Sequence, residues 1–483
     1  MNILIGNAWP YANGALHLGR IVVLLPGDIL ARYHRMMGDN VVFLSGTDCH
    51  GTPVINKARE EGITPIEIVN KYHKEFQKCF KTLDFSFDIF EKTHTEYHIN
   101  HVKKFISELV DKGYIYEKEY EGSNHLFFSL SKFEEDVRRI LVYQNGWREN
   151  AQVILKKYLD EGLRDRAVTR EVNWGVDVPI AGFEDKKIFV WIEAVMGYLT
   201  ASMKCLESRN EDYKEYWQGE DSRVYFVHGK DNIPFHTMIF PAILIGLGID
   251  NPNIRIISSE YMKLEGKPFS SVKNWALWAD YVCKNYNVDS FRYYLTLNSP
   301  EEKDTDFTWR DYINTNNNDL YSNLANFINK VLTFVNKNYK GRILKETLDN
   351  NLKDELLDLY FDVGDNIEEG KFKDGLNRIM NLCKQYNKKF DNDKLWELIE
   401  KDSKKCRTLI YNYIQIIANL ANLLEPFMPS TCKKVRDALK IESFIWSFVE
   451  VSDKTIEDLN LLFMKIDKRK AVEEVIKLKE KKF

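Results

Sequence analysis

Residues 2–6, NILIG, form a short apolar run. A loop rich in Pro, Gly and Asn follows, and then HLGRIVVLLPGDILARYHRM carries apolar residues at helical spacing. Strand, loop and helix in that order predict the opening of a nucleotide-binding α/β unit. A second apolar run, VVFLSG at 41–46, leads directly into the polar cluster TDCHGTP. That is the pattern of a parallel strand delivering side chains to a crevice at its carboxyl end. Strand patterns return at KIFVWI, RVYFVHG and NIRIIS, beyond a charged, Tyr-rich stretch around 112–176. A doubly wound sheet split by an insertion accounts for this spacing. From about residue 317 the pattern turns almost wholly helical, in segments such as NNNDLYSNLANFINKVLTFVNK and TLIYNYIQIIANLANLLEPFMP, so the last third is expected to be a helix bundle. The ending KIDKRKAVEEVIKLKEKKF reads as a solvated amphipathic helix.

Length and composition narrow the reading. A chain of 483 residues calls for two to four packed units. Hydrophobic residues at 44% and charged residues at 29% are the balance of a globular protein and exclude a disordered or fibrous one. The net charge is only −4, so a polyanion must be held by local Lys and Arg clusters and not by the field of the whole molecule. The seven cysteines are odd in number, scattered and without a C-x-x-C pair. This argues against a disulfide framework or a thiolate zinc site and points to a reducing cytoplasm. The start has no basic n-region, and no window approaches the roughly 18 uncharged apolar residues of a membrane span. A soluble, cytoplasmic protein with no membrane partner is expected.

The first strand-to-helix turn reads Ala15-Leu16-His17-Leu18-Gly19-Arg20 and not G-x-G-x-x-G, so its phosphate site must work differently from that of a dinucleotide fold. A His and an Arg at a helix N-terminus, with Gly19 allowing close approach, suit a triphosphate. Alone, that turn is more often a plain surface feature. It does not stand alone: AWPYANGALHLGR is joined by SGTDCHGTP at 45–53, DVPIAGF at 177–183, VWIEAVMGY at 190–198, GKDNIPFH at 229–236 and SFRYYLTLNSPEEKDTDFTW at 290–309. This ordered set resembles the class I methionyl-tRNA synthetases over essentially the whole chain.

The resemblance implies an α/β fold: a Rossmann-type catalytic domain in two halves, 1–111 and 177–255, split by a connective insertion at 112–176. A signature-loop and stem-contact region at 256–316 and an all-α anticodon-binding bundle at 317–483 follow. It implies an amino-acid pocket of Trp9, Tyr11, Trp191, Ala194, Tyr198, Phe235 and His236, aromatic surfaces that suit a thioether. Without the resemblance most such aromatics would be read as core. Asp48 is expected to hold the substrate ammonium, with Arg170 nearby to orient it. For ATP, carried with Mg2+, the resemblance assigns His17, Gly19 and Arg20 to the phosphates, and Gly229 and Asp231 to the ribose region. Attack of a carboxylate on the α-phosphate is an in-line displacement that relies on positioning and cationic stabilisation. No general base is nominated.

The sequence departs from the family pattern in three places. Arg20 stands where the first signature usually has a second His. The loop LEGKPFSSVKNW replaces Lys-Met-Ser-Lys-Ser: aligned through Gly266 and Trp275, the two family lysines fall on Pro268 and Ser271 and the last serine on Val272. Lys267 and Lys273 flank these positions and are the candidates to supply the charge, with Ser270 beside the nucleotide. The insertion lacks the Cys-rich knuckles of relatives, so no structural zinc is expected. A His94, His98 and His101 metal face is a minor alternative to three solvated or N-terminal histidines. In the bundle, positions that read the anticodon in the family match Asn326, Lys330 and Trp396. The resemblance thus implies methionine and tRNA as partners and, with no appended module after the bundle, a monomer. Two rivals follow from the departures: a paralogue that activates another amino acid or uses a non-tRNA acceptor, and a non-catalytic tRNA- or ligand-binding homologue.

Overall fold

The structure is a computed structural model and describes residues 1–142, 146–251, 253–442, 444–457 and 459–481. The chain divides into two compact units. The first comprises Met1–Ala31, Asp39–Tyr261 and Pro300–Lys303, and the second Arg32–Gly38, Met262–Ser299 and Asp304–Phe483.

In the first unit the chain runs β1 (Asn2–Asn7), α1 (Leu18–Met37), β2 (Asn40–Thr47), β3 (Ile89–Lys92), α2 (Glu96–Asp111), then an insertion hairpin β4 (Ile115–Tyr120) and β5 (Ser123–Phe128) with a third short strand β6 (Arg166–Ala167). It continues through the single turn α3 (Val190–Glu193), α4 (Met196–Arg209), β7 (Ser222–Gly229) and β8 (Ile254–Ser259). The main sheet has the order β8-β7-β1-β2-β3, and all of its pairs are parallel. The order reverses between β1 and β7, whose carboxyl ends therefore open a crevice at a topological switch point. The inner strands are buried on both faces, as continuous runs such as NILIGN require. Leu4, Val42, Leu44, Val224 and Phe226 form one core with Val102, Ile106 and Leu109 of α2.

Two close approaches fix the crevice. A Cβ at Gly6 would lie 2.7 Å from Tyr198 Cδ1, so glycine at that point of β1 lets the Tyr198 ring lie on the sheet. A Cβ at Gly27 would lie 2.0 Å from Asn7 Oδ1, and the Asn7 side-chain amide donates to the Leu24 carbonyl at 2.9 Å. Pro26 sits inside α1 and withholds the N–H that would pair with the Val22 carbonyl, so the helix gives up one bond near the point where Asn7 reaches in.

The second unit carries a small sheet of β9 (Met262–Leu264), β10 (Lys267–Pro268) and β11 (Thr305–Phe307), then a helical array with α5 (Asn326–Tyr339), α6 (Phe372–Asp393), α7 (Leu395–Lys401), α8 (Ser403–Leu423) and α9 (Arg469–Lys479). Buried amides on α8 capture an extended segment beside it. Gln415 and Val451 exchange two bonds at 2.8 Å, and Asn419 and Val449 exchange two at 2.9 Å. Side chains there satisfy backbone groups that a strand would otherwise pair.

The mixed α/β fold with a parallel sheet and a helical C-terminal region is the one the sequence pattern predicts. Two local readings are corrected. KIFVWI forms only a two-residue strand, Lys187–Ile188, before turning into α3, because a short apolar run does not distinguish a strand from a buried helical turn. The C-terminal helix is docked and not simply solvated: Glu474 is buried and accepts from the Tyr281 and Tyr286 hydroxyls at 2.7 and 2.8 Å. Among the described residues all seven cysteines are free, and no helix is long and apolar enough to cross a membrane.

Candidate active site

The loop after β1 and the loop after β2 lie side by side, with Tyr11 and Asp48 bridged in parallel. The Asp48 N–H donates to the Pro10 carbonyl, and the Ala12 N–H donates to the Asp48 carbonyl, each at 2.9 Å. These bonds fix the buried Asp48 beside a cluster of aromatic side chains, the candidate amino-acid pocket. Trp9 lies against both glycines of its walls: a Cβ at Gly46 would meet its ring at 2.4 Å and one at Gly197 at 3.1 Å. Its ring meets Tyr198 edge-on at 6.2 Å. Trp191, on α3, donates its Nε1–H to the Tyr11 hydroxyl at 2.6 Å and stands perpendicular to Phe235 at 4.4 Å. Ala194 follows α3 as its C-cap.

Phe235 and His236 belong to a π-helical turn, Phe235–Ile239. His236 Nδ1–H donates to the Asn232 carbonyl at 2.9 Å, which leaves Nε2 to accept from the Tyr198 hydroxyl at 2.8 Å. Burial holds this imidazole down at about 4, so the pocket floor is neutral. A neutral, aromatic floor with one carboxylate beside it suits an amino acid with an apolar side chain. Arg170 lies with its guanidinium over the Phe189 ring at 4.4 Å and is not bonded to Asp48; the His50 N–H, at 3.3 Å, is the donor on Asp48 Oδ1.

Asp48 is buried, and its carboxyl is pushed well above the usual range, first by burial and then by the charge of Glu193. A carboxylate in that state is stabilised by an arriving cation. Tyr11 is likewise raised by burial and by Asp48.

His17 immediately precedes α1, and its carbonyl accepts the Arg20 and Ile21 N–H groups at 2.9 and 3.2 Å. Burial, reinforced by the Arg20 charge, lowers His17 to about 3. The turn therefore presents one neutral imidazole and one guanidinium, with Gly19 between them in the first turn of α1, where N–H groups lack helical partners. Arg20 Nη2 donates to Asn13 Oδ1 at 3.4 Å. Across the crevice, Gly229 ends β7, where a Cβ would meet nothing closer than Val23 at 3.8 Å. Asp231 accepts from the Tyr261 hydroxyl, and Lys230 reaches Glu260 at 2.5 Å.

In the second unit, the turn between β9 and β10 uses Glu265 and Gly266, both at positive φ, and the Gly266 N–H donates to the Asp306 carboxylate at 3.0 and 2.9 Å. Ser270 and Trp275 then exchange two backbone bonds at 2.9 Å, closing a small loop whose tip holds Ser271, Val272 and Lys273. Val272 is 99% exposed, so the tip is solvated. Lys267 Nζ lies over the Trp275 ring at 4.7 Å, whereas the exposed Lys273 ammonium is in no ion pair among the described residues.

On the helical array, Asn326 is exposed at the start of α5, and Trp396, on α7, is 53% exposed, enough to present a ring face to solvent. Lys330 is held by Asn387 at 3.1 Å and Asp391 at 2.6 Å, two partners on α6 that the sequence reading did not name.

The three histidines after β3 do not form a common face. His98 is buried against Glu193, His94 stacks on Trp174 at 4.6 Å, and His101 Nδ1–H donates to the Tyr97 carbonyl. The reading of the three as solvated or N-terminal groups is corrected for His98 in one respect: it lies in the first turn of α2 but is buried and not solvated. Among the described residues no cluster of three or more His, Cys, Asp or Glu side chains could hold a metal ion.

Histidines that packing holds neutral contribute to the acid stability of the fold. His17 is lowered to about 3, and His73 and His236 to about 4, in each case by burial first. The unfolded chain takes up these protons near pH 6.5 and the folded chain does not. Their stabilising contribution is full above pH 6.5 and is lost as pH falls toward 4 and then 3, while Asp48, shifted upward, works the opposite way. The midpoint of thermal unfolding is expected to fall between pH 6.5 and 4, with a shallower fall in His73→Gln. A flat profile in calorimetry would refute this account.

A parallel sheet with its switch-point crevice, a His/Arg turn at the first helix and a buried carboxylate beside an aromatic cluster make a nucleotide-binding α/β domain with a candidate amino-acid site. The class I (M) family of tRNA synthetases matches residues 3–123 and 119–332, and the chain belongs to that family. Within it, the chain is 40% identical over 540 aligned positions to the methionine–tRNA ligase of Bacillus cereus (strain B4264), covering 99% of both chains. It is also 40% identical to methionine–tRNA ligase 1 of Alkaliphilus oremlandii (strain OhILAs), over 99% of this chain and all of that one. The fold matches that of Mycobacterium tuberculosis methionyl-tRNA synthetase bound by methionyl-adenylate, with a TM-score of 0.86 at 22% identity over 96% of this chain and 100% of that one.

Proposed function

We propose that the chain is a methionine–tRNA ligase, which joins methionine to ATP as methionyl-adenylate with release of pyrophosphate and then transfers the methionyl group to tRNA. The observation that carries this reading is the neutral aromatic pocket beside Asp48, in a chain related over its full length to ligases of that name. In it, Trp9, Tyr11, Trp191, Ala194, Tyr198, Phe235 and His236 enclose the side chain, Asp48 takes the ammonium, and Arg170 supports the wall behind Phe189. His17, Gly19 and Arg20 receive phosphates, and Gly229 and Asp231 the ribose. Lys267, Ser270 and Lys273 are the loop's candidates for the leaving pyrophosphate. Magnesium enters with the triphosphate as part of the substrate, and no structural zinc is assigned. Residues 1–111 and 177–255 act as the catalytic halves, 112–176 as the connective insertion, 256–316 as the loop region and 317–483 as the anticodon domain. The proposed setting is the cytoplasm, with the chain acting as a monomer.

The test is exchange of labelled pyrophosphate into ATP with methionine and a panel of other amino acids, followed by charging of total tRNA. Exchange only with methionine, and charging of methionine tRNA, is expected. One observation favours a second reading. Pro268, Ser271 and Val272 stand where the family loop has two lysines and a serine. Exchange with a different amino acid would make the chain a specialised paralogue, and no exchange with any would make it a binding protein. Trp396→Ala is expected to raise the KM for tRNA about tenfold to a hundredfold, the cost of one lost base stack, without changing exchange. An unchanged KM would remove Trp396 from tRNA recognition.

A further inference from the structure

Behind the pocket wall lies a group of ionisable side chains that the proposed reaction does not use. Glu193, the last residue of α3, is 0% exposed, and both of its oxygens are taken. Oε1 lies 2.6 Å from His98 Nε2, and Oε2 lies 3.1 Å from His50 Nδ1. The His50 ring continues to His94 Nδ1 at 3.0 Å, and the His98 ring to Thr200 Oγ1 at 2.8 Å, while Thr200 Oγ1 also donates to the Gly197 carbonyl. One carboxylate therefore ties together α2, α4 and the loop after β2. Through neighbours in sequence these elements carry the pocket's working parts: Trp191 and Ala194 flank Glu193, Gly197 seats Trp9, and the His50 N–H donates to Asp48.

We propose that Glu193, clamped between His50 and His98, is a positioning residue for the amino-acid subsite: it holds His50, whose N–H donates to Asp48, and the turn that carries Trp191 and Ala194. The inference rests on the reading that Asp48 holds the substrate ammonium. Burial alone would raise the Glu193 carboxyl, but the charges and hydrogen bonds of His50 and His98 outweigh it and hold the group at about 2. Glu193 thus stays ionised and repels charge on Asp48. The other titratable groups at Asp48 and at the clamp are Tyr11 on the loop after β1, Cys49 beside it, Tyr198 on α4, and His94 with Lys92 on the far side of His50. In the empty site a proton on Asp48 relieves the repulsion. Binding of an ammonium displaces that proton and restores the carboxylate, so amino-acid affinity falls on the acid side with the ionisation of Asp48.

Glu193→Gln keeps the shape and removes the charge, and Glu193→Asp keeps the charge on a shorter arm. The experiment is methionine-dependent pyrophosphate exchange by the full chain from pH 5.5 to 8.5, with methionine binding followed by tryptophan fluorescence. Exchange by the unaltered protein comes first: its absence would sink the ligase reading itself. Given exchange, Glu193→Gln is expected to raise the methionine KM about tenfold on the plateau and to leave the ATP KM within about twofold. It is also expected to move the acid limb of kcat/KM for methionine to lower pH, because Asp48 has lost its repelling neighbour. Glu193→Asp should leave the limb where it is. If Glu193→Gln does not fold, His98→Gln serves: with less compensation on Glu193, the limb moves to higher pH. A limb unmoved by these changes, or methionine and ATP KM rising together, overturns the proposal and leaves Glu193 a structural residue.

Discussion

Asp48→Asn is expected to lower kcat/KM for methionine in pyrophosphate exchange by about a thousandfold, the effect of leaving a buried cation without its partner at several kcal/mol. The substitution separates charge from shape. Asparagine keeps one oxygen to accept the His50 N–H, and the backbone bonds through Pro10 and Ala12 are untouched. What is lost is the carboxylate beside the aromatic cluster. The loss should fall on the methionine KM, with the ATP KM little changed. Thermal stability should rise, because the charge on Asp48 is opposed by burial and by Glu193, and the amide is free of both costs. A more stable protein that no longer binds methionine is hard to obtain by general damage. A loss below about tenfold would move the ammonium site elsewhere.

The grouping of the candidate site's residues was legible from sequence where its parts lie on short, contiguous blocks. VVFLSG running into TDCHGTP placed Asp48 at the carboxyl end of an inner strand, and the parallel register of β1 and β2 brings it beside Tyr11. VWIEAVMGY and GKDNIPFH named Trp191, Tyr198, Phe235 and His236, which meet across one pocket. Less legible were the contacts that join distant segments. Glu193 meets His98 across 95 positions and His50 across 143, and no periodicity connects them. His98 follows the helical spacing of a polar segment, yet it is buried, because a carboxylate from another element offers it a partner. A titratable residue on an otherwise apolar face is a signal of this kind only once its partner is known. Lys330 shows the same limit, since Asn387 and Asp391, which hold it, are set by packing of α5 on α6. The misread strand KIFVWI has a local cause: five consecutive apolar residues fit a buried helical turn as well as a strand.

Arg20→Ala is expected to lower kcat for exchange by about a hundredfold to a thousandfold, the cost of removing one preorganised donor from the charge that develops in transfer. The first helical turn contains a single cation. Burial and the neighbouring guanidinium hold His17 at about 3, so the imidazole is neutral across the working pH range and donates only as an uncharged group. Burial also lowers Arg20, but a guanidinium remains charged. Asn13 holds one of its nitrogens at 3.4 Å, which aims the planar fork from the loop that also carries Tyr11. Because Arg20 is proposed to meet the phosphates and not the amino acid, methionine binding measured by fluorescence should be unchanged in Arg20→Ala. The loss should appear in kcat and in the ATP KM. Arg20→Lys should recover part of the rate, since a point charge replaces the cation but not the two-nitrogen geometry. Recovery by lysine with no recovery by glutamine would assign the effect to charge. An exchange rate within about fivefold of the unaltered protein would show that the phosphates are held elsewhere, and equal losses in methionine binding would show that Arg20 shapes the pocket.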